Sequence, residues 1–437
     1  MTLRRPIQLA TLATALILTG CATFQAPTES TAVIAGASFS GAMHGGQQPI
    51  SGATIQLYAV GAGGYGAAAT PLLTTPVTTD ANGAFNISGD YSCSGVNQVY
   101  LTGSGGNPGL SAGTTNSAIV MMAALGSCSN LVANAATTFI NMNEVTTVAG
   151  AWSLARFMTG PANAGTSAGN ATGLANAFAA ANKVVNLATG QAPGTALPAG
   201  ATLPIAEIDT LANILASCVN TNGTSGACSQ LFAAATPSGG AAPTDTLTAA
   251  LNIAHNPGAN VATLFNLSTA NPPFGPTLTS APTNWLIGIH YTGGGLSAPT
   301  AMAVDATGNI WLTNANNSVS EFAPTGAALS SSTGYTAGPL SGPSAIAIDT
   351  TGNAWVANAT GNSLTRIAPL GASATNFTGG GLNQPAGIAI DASGNLWVPN
   401  KGGNSVSAFN NAGAPITTTP YTGAGISQPA GVAINVQ

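Results

Sequence analysis

Ala345-Ile346-Ala347-Ile348-Asp349-Thr350-Thr351-Gly352-Asn353-Ala354-Trp355-Val356-Ala357-Asn358 reads as two short strands joined by a tight turn. The first strand is apolar and β-branched, the second carries the tryptophan, and Asp-x-x-Gly-Asn between them supplies a carboxylate that can accept from main-chain N–H groups. The same words recur. Ala301-Met302-Ala303-Val304-Asp305, Gly387-Ile388-Ala389-Ile390-Asp391 and Gly431-Val432-Ala433-Ile434-Asn435 match the first strand. Trp311 and Trp397 match Trp355, each within a Gly-Asn-x-Trp word. Pro299, Pro343, Pro385 and Pro429 open the copies at spacings of 44, 42 and 44 residues. Third strands start at Asn317-Ser318-Val319, Asn362-Ser363-Leu364 and Asn404-Ser405-Val406. Fourth strands are marked by Tyr291-Thr292-Gly293, Tyr335-Thr336, Phe377-Thr378-Gly379 and Tyr421-Thr422-Gly423.

Four short strands per ~43 residues is the arithmetic of a β-propeller blade. The Ile-Ala-Ile-Asp-x-x-Gly-Asn-x-Trp-Val-x-Asn wording resembles NHL-type and streptogramin-lyase-like propellers. Three copies are full. The first two strands of an earlier copy are missing before Trp285, and the last copy stops after one strand. Closed propellers take about four to eight blades, so this segment is expected to form an open arc with two exposed edges. The reading favours a truncated member of a longer family over two arcs closed around a two-fold axis. Streptogramin lyases use a histidine and acidic residues with a magnesium ion. Here no histidine follows His290 and Glu321 is the one glutamate of the repeats, so the resemblance implies fold and not activity.

The repeated Asp305, Asp349 and Asp391 are read as turn caps, with Asn435 able to do the same in the last copy. They are not read as a metal ring. The tryptophans are read as packing between blades. Asn314, Asn358 and Asn400 end the second strands and are expected to line a polar binding rim for a protein or glycan ligand.

Arg4 and Arg5, the apolar run 7–18 and Leu18-Thr19-Gly20-Cys21 follow the order of a signal peptide. Leu-Thr-Gly-Cys resembles the lipobox of bacterial lipoproteins, which implies lipidation of Cys21 and a membrane anchor. Ala22 in place of an aspartate points to the outer membrane or cell surface. Pro6 leaves the twin-arginine motif incomplete, so ordinary Sec export is expected.

Only 4% of residues are charged, and the net charge is -5. Arg156, Lys183, Arg366 and Lys401 are the basic residues after position 20, which excludes a phosphate-binding stripe and hence nucleic acid. Few titratable groups also predict a stability almost flat between about pH 4 and pH 8. Beyond Cys21, four cysteines allow three pairings. Cys218 and Cys228 flank a Gly/Asn/Thr/Ser loop and form a natural local staple, leaving Cys93 to pair with Cys128.

Residues 33–142 alternate with period two. Strands are expected at Val33–Ser40, Ala53–Val60, Ala84–Ser88, Gln98–Thr102, Ala118–Ala123 and Thr137–Asn141. Pro49-Ile50-Ser51-Gly52-Ala53 followed by Thr79-Asp80-Ala81-Asn82-Gly83-Ala84-Phe85 resembles the carboxypeptidase-regulatory-like fold, which implies a spacer module. From Glu144 the period becomes 3.6. Val145, Val148, Ala149, Trp152 and Ala155 share one face; Leu174, Phe178, Ala181, Val185 and Ala188 a second; Ile208, Leu211, Ala212, Leu215 and Val219 a third. Shorter helices are expected at Thr244–Ala254 and Pro257–Leu267, with Thr244 and Asn256 as N-caps. These stripes need only pack against each other.

Two motifs invite chemistry and lack the context for it. Gly61-Ala62-Gly63-Gly64-Tyr65-Gly66 has dinucleotide-loop spacing but no βαβ unit around it, and reads as a hairpin loop. Gly165-Thr166-Ser167-Ala168-Gly169 has nucleophile-elbow spacing, with Asp209 or Asp245 and His255 in the order a triad needs, but no strand is evident before it.

The sequence thus predicts a multidomain chain: signal peptide 1–20, lipidated cysteine and tether 21–32, a small antiparallel β-sandwich 33–142, an all-α domain 143–282 and an incomplete β-propeller of about three full blades 283–437. The function expected is a lipid-anchored, non-catalytic scaffold or binding module without metal or cofactor, with self-association through open propeller edges. The alternatives are a lyase-like propeller, a hydrolase using Ser167, or a truncated non-functional remnant.

Overall fold

The computed structural model describes residues 32–270 and 272–434. Cys21, the signal-peptide reading and Asn435 lie outside them. The described chain is built mostly of small antiparallel sheets with seven α-helices.

Strand β1 (Phe39–Gly45) lies mostly beyond the expected Val33–Ser40, of which Val33–Ala35 forms a separate short strand, whereas β2 (Thr54–Ala59), β3 (Ala84–Ile87), β4 (Gln98–Ser104) and β5 (Val120–Ser127) fall close to the expected spans. Helix α1 (Cys128–Asn134) comes next and was not evident in the sequence. Strand β6 (Phe139–Met142) closes this part of the chain. One sheet runs β5-β4-β2, antiparallel throughout. The other centres on β1, with β3 antiparallel on one side and β6 parallel on the other. The parallel strand departs from the all-antiparallel expectation. The chain reaches β6 through α1 on a crossover path, which a tight hairpin could not provide.

Ile55, Leu57, Val99, Leu101, Met121, Ala123 and Leu125 point into the core between the two sheets. Tyr58, Tyr100, Val120, Met122 and Ala124 alternate with them and point the other way, into the helices. The continuous apolar run of β5 is the signature of a strand buried on both faces.

The helices are α2 (Glu144–Leu154), α3 (Ala171–Val184), α4 (Ile205–Val219), α5 (Gly226–Ala234), α6 (Thr246–His255) and α7 (Val261–Leu267). The sequence reading gave them a domain of their own. Instead they share one core with the outer face of the β5-β4-β2 sheet. A β-carbon on Gly150 of α2 would stand 2.7 Å from the Met122 sulfur, so this glycine sets how closely α2 approaches β5. Side chains on the helices also satisfy the free margin of β5. Thr246 Oγ1 accepts from Val120 N–H (3.0 Å) and donates to Val120 O (2.7 Å). Thr147 Oγ1 accepts from Met122 N–H, and Asn182 Nδ2 donates to Ala124 O. The expected caps shift by a few residues. Asp245, not Thr244, caps α6 by accepting from Thr248 N–H. Helix α7 starts at Val261 behind Asn260 in the left-handed region, not at Pro257. Val185 is extended, so α3 ends before the stripe drawn through Ala188.

The structure joins Cys93 to Cys128 and Cys218 to Cys228. By loop-closure entropy, breaking the second is expected to cost about 3 kcal/mol and the first about 4 kcal/mol. Urea midpoints of the double serine variants check this, and non-reducing peptide mapping checks the pairing.

The boundary at 283 also moves. Trp285 is fully buried in the helical core, where its main-chain N–H donates to Pro257 O and its carbonyl accepts from Trp152 Nε1. Beyond it, His290-Tyr291 pairs antiparallel with Ala201-Thr202, so the start of the repeats is stitched to a loop of the helical layer.

The repeats form three small sheets in a propeller-like arrangement. The first is β7 (Pro299–Val304), β8 (Ile310–Asn314) and β9 (Ser318–Phe322). The second is β10 (Pro343–Ile348), β11 (Ala354–Asn358), β12 (Ser363–Ile367) and β13 (Ala374–Phe377). The third is β14 (Ala389–Ile390), β15 (Leu396–Asn400) and β16 (Ser405–Phe409). The expected fourth strands of the first and third sheets shrink to isolated bridges, Val319 with Tyr335 and Val406 with Tyr421. Residues 431–434, expected as the first strand of a fourth copy, form no strand among the described residues. Sheets pack face to face: Trp311 and Val319 of the first against Ile346, Ala354 and Val356 of the second, then Trp355 and Leu364 of the second against Leu396 and Val398 of the third.

Candidate functional site

The repeat asparagines are the natural place to start, since the sequence assigns them a binding rim. The structure corrects that assignment. Asn314, Asn358 and Asn400 are all fully buried. Each Oδ1 accepts from a main-chain N–H of the loop entering its own sheet: Ser297 (3.1 Å), Ser341 (3.2 Å) and Asn383 (3.1 Å). Each Nδ2 donates to two hydroxyls of the third strand. The pairs are Ser318 and Ser320, Ser363 and Thr365, and Ser405 and Ser407. A polar side chain in a β core keeps its place only with its bonds filled, and these amides spend theirs inside the blade. The signal for this was present as the Ser-x-Ser/Thr word that opens each third strand.

The exposed asparagines lie one turn further on. Asn317, Asn362 and Asn404 adopt the left-handed region, with φ of 61°, 46° and 46°. Their Oδ1 atoms accept from Gly342 N–H (2.8 Å), Gln384 N–H (2.7 Å) and Gln428 N–H (2.7 Å), each at the start of the next copy. They are latches between neighbouring repeats, and the turns that carry them form the polar rim. Asn362→Ala is expected to cost about 2 kcal/mol, from a lost bond and from alanine's poorer tolerance of the left-handed region. Asn362→Gly should cost less, and urea midpoints of the two variants separate the contributions.

At the opposite end of each sheet, Asp305, Asp349 and Asp391 cap their turns. Oδ1 of each accepts two main-chain N–H groups: Thr307 and Asn309, Thr351 and Asn353, Ser393 and Asn395. Oδ2 accepts from the indole N–H of Trp311 (3.2 Å), Trp355 (2.9 Å) and Trp397 (3.1 Å). This tie to the tryptophan was not read from the sequence. Burial works to raise the Asp305 and Asp349 carboxyls, but the hydroxyl, indole and amide donors outweigh it and hold both below the ordinary value. At Asp391 the Trp397 bond leads the lowering. The aromatic residue of each outer segment packs on the tryptophan of its repeat, tilted in the first two and stacked in the third, with centroids 5.7, 5.2 and 5.7 Å apart. In the first sheet Glu321 is buried; its Oε2 accepts from Tyr335 O–H (2.7 Å) and burial pushes its carboxyl up.

The two motifs weighed for catalysis lie against each other, Gly61 bridging Gly165, but Ser167 and its candidate histidine do not share a pocket. Ser167 lines an open cleft of about 450 Å³ with Gly61, Gln98 and Thr172, and its hydroxyl caps no helix. His255 lines a different pocket with Tyr65 and Arg156, where its Nε2 bonds Ala155 O at 2.6 Å. Asp245 is the α6 cap and Asp209 is buried on α4. The glycine-rich loop after β2 is tied back by Gly61, whose N–H donates to Ala164 O. Among the described residues, no group of three or more His, Cys, Asp or Glu could hold a metal ion, and no helix is long and apolar enough to cross a membrane.

No family model and no curated protein matches this sequence. Among solved structures, a streptogramin B lyase is similar at 18% identity and a TM-score of 0.27, over 31% of this chain and 45% of that one. The virginiamycin B lyase of Staphylococcus aureus is similar at 20% identity and 0.26, over 29% and 42%. A nidogen–laminin complex is similar at 17% identity and 0.28, over 33% and 55%. The chain spans less than two thirds of the length of each.

Proposed function

We propose that this is an exported, lipid-anchored, non-catalytic surface protein whose repeat segment serves as a binding or scaffold module for protein or glycan. The observation that carries the reading is how the recurring polar residues of the repeats are used. Aspartates, buried asparagines and third-strand hydroxyls all hold strands and turns together. The exposed turns around Asn317, Asn362 and Asn404 remain as the polar face a partner would meet. In this reading the three sheets are the three full blades of a partial propeller. The N-terminal strands are a carboxypeptidase-regulatory-like spacer, and Cys21 carries the lipid at the outer membrane or cell surface.

Two measurements test this. Mass spectrometry of material from native cells should find a chain that begins at an acylated Cys21; an intact Met1 with a free thiol overturns the anchor. A glycan array and a pull-down with the whole protein should give a ligand whose binding is lost when Thr360 and Asn362 are replaced together by Gly. Labelling of Ser167 by a fluorophosphonate would instead favour a hydrolase.

A further inference from the structure

The glycine-rich loop after β2 holds a large aromatic ring out in water. Tyr65 is 59% exposed, and neither core of the N-terminal half takes its ring. Gly64 and Gly66 flank it with φ of 118° and 62°. A β-carbon on Gly66 would stand 2.6 Å from Thr159 Cγ2, so only glycine lets the loop lie this close. Gly66 N–H donates to Phe157 O (3.3 Å), and Ala67 N–H donates to Gly64 O (3.2 Å). Phe157 directly follows Arg156. One main-chain bond therefore sets the spacing of Tyr65 and Arg156 and uses neither side chain.

Tyr65, Arg156 and His255 meet in a pocket of about 460 Å³ that Ala155 and Ala254 complete. Nε2 of His255 lies 2.6 Å from Ala155 O and 3.4 Å from the Tyr65 hydroxyl. A carbonyl oxygen only accepts, so Nε2 carries the hydrogen and spends it on Ala155. The Tyr65 O–H is left to donate elsewhere. Lys183 and Arg366 lie over aromatic rings, whereas the Arg156 guanidinium makes no hydrogen bond or ion pair among the described residues. No carboxylate lines the pocket. The free groups are donors, and an acceptor-rich anion answers them. Arg156 and His255 sit at the ends of α2 and α6, where helix C-termini favour cations. That accounts for their charge and not for the exposed ring held beside them.

We infer that this pocket binds a uronic acid residue of an acidic saccharide. Arg156 takes the carboxylate with two parallel N–H bonds, while Tyr65 lays its ring on the sugar face and gives its O–H to a sugar oxygen. Two features favour a uronate over phosphate. Helices α2 and α6 both end here, and the partial negative charge of two C-termini opposes a dianion, whereas one guanidinium balances a single carboxylate. Ala254 O receives no N–H from the residues that follow α6, which leaves an acceptor for a sugar hydroxyl that an inorganic anion does not need. The pocket has the size of a small-ligand site. It is separate from the polar rim of the repeats and does not depend on it.

Titration calorimetry of the whole chain carrying Cys21→Ser tests this, with trimers of galacturonate, glucuronate and mannuronate as probes. At least one trimer should bind saturably, and its methyl ester about ten-fold more weakly. Arg156→Gln should weaken binding about ten-fold, and Arg156→Lys, which keeps the charge without the fork, by less. Tyr65→Ala should cost about ten-fold and Tyr65→Phe only a few-fold, since the ring remains. Both side chains are exposed, so the melting temperature should stay at the parent's value. Replacing Thr360 and Asn362 together by Gly should leave this binding unchanged, which keeps failure here distinct from failure at the repeats. Binding by none of the trimers overturns the proposal. So does an ester that binds as well as its acid, or binding that survives both Arg156→Gln and Tyr65→Ala. Inorganic phosphate that displaces the trimer at equal concentration overturns it as well.

Discussion

Stability should fall by about 3 kcal/mol as the pH rises from about 5 to about 8, the opposite of the flat profile that so few charges suggest. Glu144, the first residue of α2, is fully buried, and burial pushes its carboxyl up to about 8; the Gly46 N–H, 3.0 Å from both oxygens, opposes this without cancelling it. Because the folded value lies above the unfolded one, the folded protein binds a proton that the unfolded chain releases. The associated stability is complete below about pH 4.5 and is lost as pH rises through about 8. Burial raises Glu207 to about 7 and Asp209 to about 6, which adds to the same slope. Both are shifted less than Glu144, so the figure above rests on Glu144. Glu144→Gln keeps an acceptor for Gly46 and cannot ionise. It should melt like the parent at pH 5 and clearly higher at pH 8. A parent whose melting temperature is level across that interval contradicts the account.

Trp355→Ala is expected to cost about 4 kcal/mol, and Trp397→Ala about 1–2 kcal/mol, although the two residues occupy the same word of the repeat. Trp355 is fully buried among Leu364, Leu396, Val398 and Phe409, and Arg366 lies 5.5 Å above its ring. Its removal leaves a cavity between two sheets and strips Asp349 Oδ2 of its indole donor. Trp397 makes the same bond to Asp391 but has water on one side. Trp355→Phe retains most of the volume and loses only the hydrogen bond, so about 1–2 kcal/mol is expected. Hydrogen exchange at the amides of residues 343–409 reads these losses locally, which matters in a chain whose parts need not unfold together. Equal costs at the two tryptophans would contradict the burial difference.

How much of this the sequence carried depends on the kind of signal. Repetition was the strongest. Three of the four proline-led copies, the turn aspartates and the tryptophans fall where their words place them, because a local hydrogen-bond pattern fixes each word. Residue type alone was weaker. Asn314 and Asn317 are both asparagines near the same turn, and only the serine spacing on the following strand separates the buried one from the exposed one. Long-range contact was not readable at all. The run Val120–Leu125 says that both its faces are covered but not that helices cover the second, and nothing near Trp285 says that it belongs to the core before it. Likewise, the count of acids does not say which of them lies in the interior. One carboxylate placed in the interior outweighs several on the surface.

Charged residues commonly guard a strand margin against joining a neighbouring molecule, and this chain has almost none to assign to that duty. The margin of β5 is guarded by hydroxyls and an amide that belong to the helices. Guard and guarded therefore lie far apart along the gene. A recombination event that carried the early strands into another protein without α2, α3 and α6 would deliver a bare, sticky ribbon, so these two stretches can only be inherited as one cassette.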